Sequence, residues 1–186
     1  MTNLSALSMP CDPMLLLSRL EQERETRESE NRLAAYKPYI KQREFHGLAV
    51  RERLLMAGNQ LGKTWAGAFE MAMHLTGKYP DWWNGRRFDK PVSAWASSVS
   101  TLATRDTVQR LIAGRPGKIG TGAIPKADIL DHKSALGTPD LLDHVRVKHV
   151  SGGESFVAFK SYEQGREKWQ GETLDVVWFA EEPPQD

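Results

Sequence analysis

The chain has 186 residues, of which 40% are hydrophobic and 26% are charged, a composition typical of one globular domain. Its 25 Lys and Arg residues against 24 Asp and Glu residues give a net charge of +1, which excludes a uniformly basic surface, so any contact with a polyanion must be local. A single cysteine, Cys11, excludes an intramolecular disulfide framework and a cysteine metal cluster. No apolar run approaches the roughly 20 residues that span a bilayer, so we expect a soluble intracellular protein without a membrane segment.

The N-terminal part predicts a loose end followed by a helix. Residues 1–11 are weakly patterned, whereas Asp12 and Pro13 are typical of a helix start. The run from Glu21 to Arg32 alternates in charge and indicates a solvated helix face, with a partner-binding surface as the alternative. We assign residues 1–36 to this tail and helix, and residues 37–186 to a second, α/β domain.

From Leu54 onward, short apolar runs alternate with helical segments, which is typical of an α/β fold. The predicted elements are a strand at 54–56, a helix after Thr64 that ends at Gly77, a strand at 92–97 and a helix at 100–112 capped by Ser100. Four Pro or Gly clusters predict a long loop over 114–140. A hairpin with strands at 145–150 and 156–159 follows, and a strand at 176–179 is ended by Pro183 and Pro184.

The strand at 54–56 leads into a phosphate-loop pattern formed by Ala57, Gly58, Asn59, Gln60, Leu61, Gly62, Lys63 and Thr64. Ala57 stands where the first glycine of the pattern is usual. Gly62 lets successive backbone N–H groups turn toward phosphate oxygens, and Lys63 supplies a positive charge for the β and γ phosphates. The Thr64 hydroxyl suits Mg²⁺. The alternative is a chance Gly-Lys-Thr sequence.

The strand at 176–179 is followed by two acids, Glu181 and Glu182, as expected where one carboxylate holds Mg²⁺ and another orients water. Ala180 occupies the position directly after the strand, where the metal-side acid is usual. Either the pattern is shifted by one residue, so that Glu181 is the metal-side acid and Glu182 the catalytic one, or the metal-side acid is missing. We prefer the second interpretation, because a one-residue shift moves each side chain to the other face of the strand.

These motifs together resemble the large terminase subunit of tailed bacteriophages. The resemblance is carried by 60–64 (QLGKT), by 161–171 (SYEQGREKWQG), and by 174–179 (LDVVWF) followed by Glu181, Glu182, Pro183 and Pro184. The segment 37–42 (KPYIKQ) is similar to the upstream segment of that family, in which a Gln contacts adenine, here Gln42. The family pattern implies Asp at position 180, and some relatives carry an Arg where Asn59 stands.

The resemblance implies an ATPase domain of the additional-strand, RecA-like P-loop NTPase type, with a mostly parallel central sheet flanked by helices, a β-hairpin insertion and an N-terminal helix. It implies ATP and Mg²⁺ as cofactors, with Lys63 and Glu181 catalytic and Thr64 and Glu181 on the metal. The implied partners are double-stranded DNA, the portal protein, the small terminase subunit and further copies in a ring, in the host cytoplasm. The family's nuclease domain is expected beyond Asp186, so we expect a fragment of a longer protein.

An arginine that reaches the γ phosphate, often from a neighbouring subunit, is a further expectation. Arg105 and Arg166 are candidates, and a solvated arginine is the alternative for each. Trp82 and Trp83 lie beside Arg86 and Arg87, a mixture that suits stacking on DNA, although we favour a loop anchored by its tryptophans. The spacing of His132, His144 and His149 does not indicate a metal site.

Three functions remain open from the sequence. The first is the ATPase module of a DNA-packaging motor, impaired in hydrolysis because Ala180 replaces the expected Asp. The second is a non-catalytic module that binds nucleotide without turnover. The third is another P-loop NTPase or a small-molecule kinase, against which the two adjacent acids argue because they suit activation of water.

Overall fold

The computed structural model describes residues 13–183 and shows an α/β fold. The helices are α1 (Pro13–Glu30), α2 (Ile40–His46), α3 (Lys63–Thr76), α4 (Thr101–Ala103) and α5 (Arg110–Ile112). The strands are β1 (Ser93–Ser98), β2 (Gly114–Arg115), β3 (Lys118–Ile119), β4 (Ile129–Ser134), β5 (Leu142–Lys148), β6 (Glu154–Ser161) and β7 (Val176–Phe179). None of the helices in this part of the chain is long and apolar enough to cross a membrane.

The central sheet has five strands in the order β4-β5-β6-β1-β7. β1 pairs in parallel with β6 and β7, whereas β5 pairs antiparallel with β4 and β6. The expectation of a mostly parallel sheet with a hairpin insertion is therefore wrong, because the sheet is mixed and the hairpin strands are central to it. Short connections between β4, β5 and β6 permit only antiparallel neighbours, while the long crossovers allow parallel pairing with β1.

Helix α3 packs across one face of this sheet and carries most of the core. Every residue from Ala68 to Thr76 is buried. This face also contains Ala94 and Ala96 of β1 and Val157 and Phe159 of β6. The helix ends at Gly77, whose φ of 72° is the left-handed conformation that favours glycine, as the sequence predicted.

Several predicted elements are confirmed within one or two residues. α1 is described from Pro13 onward, and none of its residues is buried, which agrees with a solvated helix. Ser100 caps α4 by accepting a hydrogen bond from the Ala103 amide. The helix predicted over 100–112 is interrupted by a π-helical segment, Thr104–Gln109, where the Thr107 hydroxyl donates to the Ala103 carbonyl. The predictions for residues 1–12 and 184–186 lie outside the described residues.

Two predicted elements are wrong. Residues 54–56 form no strand, and Leu54 and Met56 are 80% and 82% exposed. In the described structure this apolar run pairs with no strand, not even with the free edge of β7, so its backbone lacks the ladder hydrogen bonds that define a strand. The predicted loop over 114–140 contains the β2-β3 pair and β4, whose polar, exposed edge-strand sequence resembles a loop.

Candidate functional site

The loop that contains residues 57–62 leads directly into α3. Gly62 has a φ of 75° and Gln60 a φ of 61°, so the chain turns sharply before Lys63 begins the helix. The Lys63 ammonium donates hydrogen bonds to the carbonyls of Ala57 at 2.6 Å and Gly58 at 2.8 Å, which closes the loop on itself. The free N–H groups and positive end of a 14-residue helix lie at this turn, an arrangement that suits an anion. Asn59 and Leu61 are exposed, and Thr64 is half-buried in the first turn of α3.

Gln42 lies beside this loop and is 6% exposed on α2. Its Nε2 donates to the Gly62 carbonyl at 3.0 Å and the Leu61 carbonyl at 3.4 Å, and its Oε1 accepts from the Tyr39 amide at 2.9 Å. A Cβ at Gly62 would lie 2.7 Å from the Gln42 amide nitrogen. The alternative of a surface glutamine in a loop is therefore wrong, because Gln42 holds the phosphate loop from a helix.

β7 brings the acidic segment to the same sheet as β1. Ala94 pairs with Val176 and Ala96 with Trp178, and all four pack on the core side with α3. Ala180 continues this alternation and also packs against the core, while its amide donates to the Ser97 carbonyl at 2.9 Å. Position 180 is therefore the one that faces α3.

Glu181 lies just beyond the end of β7. It is exposed, and its backbone carbonyl accepts a hydrogen bond from the Tyr162 hydroxyl at 2.7 Å. Glu182 is exposed as well. Ser98, the next core-facing residue of β1 after Ala96, is fully buried, and its hydroxyl has no hydrogen-bond partner in the described structure. Ser98 directly follows Ser97, whose carbonyl accepts the hydrogen bond from the Ala180 amide, so the unpartnered hydroxyl belongs to the residue next to the backbone contact of position 180.

A close approach between α3 and β7 sets the distance between the loop at 57–62, which leads into α3, and the acidic segment that follows β7. A Cβ at Gly67 would lie 2.5 to 2.7 Å from three atoms of the Trp178 indole. Glycine at position 67 therefore allows the strand that precedes Glu181 to pack directly on the helix that begins with Lys63 and Thr64.

The candidate arginines differ in their surroundings. The Arg105 side chain bonds Asp106 at 2.8 and 3.2 Å and the Pro139 carbonyl at 3.3 Å. Arg166 is exposed on a short 3-10 helix, Arg166–Trp169. In the described structure neither side chain contacts the loop over 57–62.

The tryptophan pair anchors its loop, as we favoured. Trp83 is buried and donates to the Arg86 carbonyl at 3.1 Å, while Arg87 lies over the Tyr79 ring. Of the histidines considered, His144 bonds Asp143 and His149 bonds Ser151. Among residues 13–183, no group of three or more His, Cys, Asp or Glu residues could hold a metal ion.

The sequence analysis missed a buried ionic cluster behind the loop. Glu70 of α3 is 5% exposed and is paired with the guanidinium of Arg53. His46 Nδ1 lies 2.7 Å and His74 Nε2 3.3 Å from its carboxylate oxygens. Burial raises the pKa of the Glu70 carboxyl, but hydrogen bonds from both histidines and the charge of Arg53 outweigh burial and hold the pKa at about 2.

Spacing is the signal that could have indicated part of this cluster. Gln42 and His46 are four residues apart, as are Glu70 and His74, which places each pair on one face of a helix. The spacing does not show that the two faces meet, because that contact depends on tertiary packing.

The family comparison matches residues 54–186 to the model "Terminase large subunit, T4likevirus-type, N-terminal". The chain therefore belongs to this terminase family. It is also 43% identical over 191 residues to the terminase large subunit of Salmonella phage P22. This alignment covers 91% of the chain but 38% of the P22 protein, so the chain spans well under half the length of this terminase relative. No solved structure matches the chain.

Proposed function

We propose that this chain is the nucleotide-binding module of a viral DNA-packaging motor. ATP would bind on the loop from Ala57 to Thr64, with its phosphates at the start of α3. The observation that carries this proposal is the Gln42 side chain, which holds the left-handed turn at Gly62 directly before Lys63. A preformed turn of this kind leaves less conformational entropy to be lost when phosphate binds.

The donor chemistry near the loop fits Mg²⁺ in part. Mg²⁺ keeps several waters and binds one or two protein oxygens together with phosphates, so the Thr64 hydroxyl is a suitable ligand. Glu181 is the candidate carboxylate, but it is exposed, whereas Ala180 packs against the core. The unpartnered hydroxyl of Ser98, the residue after the Ser97 carbonyl that bonds the Ala180 amide, supports the interpretation that the metal-side acid is missing. Mg²⁺ would supply charge neutralisation of the phosphates.

We infer that hydrolysis is impaired in this chain, because the methyl group of Ala180 cannot accept a hydrogen bond from metal-bound water. This inference favours a module that binds nucleotide without efficient turnover as the second candidate function. Glu181, or Glu182 if the pattern is shifted by one, would orient the attacking water. Between the candidate arginines we favour Arg166, because Arg105 is already engaged by Asp106 and the Pro139 carbonyl.

Lys63→Ala tests the loop. Nucleotide binding by calorimetry should be strong in the original chain and should lose most of its affinity in the variant, because the variant removes the cation that faces the phosphates. Lys133→Ala on the exposed face of β4 is the matched control and should bind as the original chain does. Equal affinity in Lys63→Ala and the original chain would exclude the loop as the phosphate site.

The motor role is tested with the partners that the resemblance implies. We propose that the chain acts with double-stranded DNA, a portal protein and a small terminase subunit, as part of a ring of copies. Nucleotide-dependent association of the chain with portal protein or with duplex DNA would support this role. A kinase would be indicated instead if release of ADP required an added phosphate acceptor.

A further inference from the structure

The segment that leads into the phosphate loop has few contacts of its own. In the described stretch 51–56, Arg53 alone makes side-chain hydrogen bonds or ion pairs. Leu54 and Met56 are largely exposed, and no strand ladder holds the backbone here. The position of the loop entrance therefore depends on what Arg53 contacts.

Arg53 joins this segment to two helices. Its Nη1 donates to the Phe45 carbonyl of α2 at 3.2 Å, and its guanidinium lies 4.8 Å from the centroid of the Phe45 ring. Its Nη2 pairs with the buried Glu70 carboxylate of α3. The planar guanidinium of arginine suits this role better than the ammonium of lysine, because it can stack on a ring while it donates hydrogen bonds to two different acceptors.

Glu70 connects the same point to the helix that carries Gln42. His46 lies one turn after Gln42 on α2 and contacts Glu70 through Nδ1, while its Nε2 lies 2.9 Å from the Tyr36 hydroxyl. Because His46 is 1% exposed, this contact fixes the rotation of α2 and with it the Gln42 amide against Gly62. One carboxylate thus connects the loop entrance, α2 and α3.

We propose that Arg53, acting through Glu70, is a positioning residue for nucleotide binding. The pair fixes the position of the loop entrance relative to α2 and α3, so that the backbone at 57–62 is ordered before phosphate binds. Without the pair, nucleotide binding must order this segment, and affinity falls for every nucleotide whatever its base. This inference rests on the proposed nucleotide site, and the experiment below has a readout that does not require nucleotide.

The test compares Arg53→Met, which keeps the aliphatic stem, with Arg51→Met as the matched control on an exposed arginine two residues earlier. Calorimetry at a temperature well below the Tm of each variant should show roughly tenfold weaker binding of both ATP and GTP to Arg53→Met. Arg51→Met should bind within about twofold of the original chain. Arg53→Lys should recover part of the loss because it restores the charge facing Glu70 but not the fork.

Gln42→Ala tests the other end of the same set of contacts, because both amide atoms of Gln42 bond the backbone at Tyr39, Leu61 and Gly62. Gln42→Ala and Arg53→Met should each weaken ATP and GTP binding alike and leave the ratio of the two affinities unchanged. Glu70→Gln should resemble Arg53→Met in both affinities. A change in base preference caused by Arg53→Met, or unchanged affinity in a folded Arg53→Met chain, would overturn the proposal.

Limited proteolysis without nucleotide supplies the independent readout. Thermolysin cleaves before exposed apolar residues such as Leu54 and Met56, and it should cut Arg53→Met within 54–61 several-fold faster than the original chain, while cleavage elsewhere is unchanged. If the original chain binds no nucleotide but this difference appears, the proposed function fails and what remains is that Arg53 orders the segment. If cleavage within 54–61 is the same in both chains, the positioning role is wrong whether or not nucleotide binds.

Discussion

Ala180→Asp is the substitution that examines the candidate metal site most directly. Position 180 packs against the core just after β7, and its amide bonds the carbonyl of Ser97, the neighbour of Ser98, whose hydroxyl is buried and has no partner in the described structure. A carboxylate at this position would accept a hydrogen bond from Ser98 and from water bound to Mg²⁺. The substitution should therefore make nucleotide affinity depend more strongly on Mg²⁺.

The size of the effect follows from the contacts that the carboxylate would gain. A charge-assisted hydrogen bond contributes about 1–3 kcal/mol, which corresponds to a roughly five- to 150-fold greater Mg²⁺ dependence of nucleotide affinity. Ser98→Ala alone removes a buried hydroxyl without a partner, so it should stabilise the folded chain by about 1 kcal/mol and leave nucleotide affinity unchanged. In the Ala180→Asp background, the same Ser98→Ala change should cost about 1 kcal/mol or more, because the carboxylate then loses a donor.

The assay is a double-mutant cycle of nucleotide titrations with and without Mg²⁺. It uses the original chain, Ala180→Asp, Ser98→Ala and the double variant, and hydrolysis is measured on the same four proteins. The interpretation would be refuted if Ala180→Asp changed neither Mg²⁺ dependence nor hydrolysis while Glu181→Ala and Glu182→Ala each did. That outcome would show that the acidic pattern is shifted by one residue.

Two further predictions concern the packing behind the site. Gly67→Ala should lower the free energy of unfolding by about 1–3 kcal/mol, because its Cβ overlaps the Trp178 indole. Trp178→Phe in the same chain should recover part of this loss in thermal unfolding, whereas an unchanged Tm in Gly67→Ala would contradict the close packing of α3 on β7. Glu70 has a pKa of about 2 against an ordinary value of 4.5, so its ionised form stabilises the folded chain above about pH 4.5, and this contribution is lost as the pH falls toward 2. The stability advantage over Glu70→Gln, in a cluster faced by Arg53, His46 and His74, should therefore shrink by about 3 kcal/mol between pH 5 and 2 in denaturant titrations. A constant difference would mean that these three side chains do not hold the carboxylate in its ionised form.

Much of the local structure follows from short-range rules, which is why the sequence predicted it. The Ser100 cap and the end of α3 at Gly77 depend on the conformational preferences of one or two residues. The phosphate-loop pattern has the same local character, since Gly62 adopts the left-handed turn that only glycine takes readily. The family resemblance rested on these motifs, and the family comparison confirms it.

The sequence alone determined the helix after the loop, the strand and helix that follow it, and the identity of the family, because these depend on residues that are close together in the chain. It could not determine that 54–56 lacks a strand partner, that Gln42 is buried against Gly62, or that Arg53, His46 and Glu70 meet. Each of these facts depends on contacts between distant segments. A strand needs a neighbour and a buried charge needs its counterions, and only the tertiary structure decides which distant residues supply them.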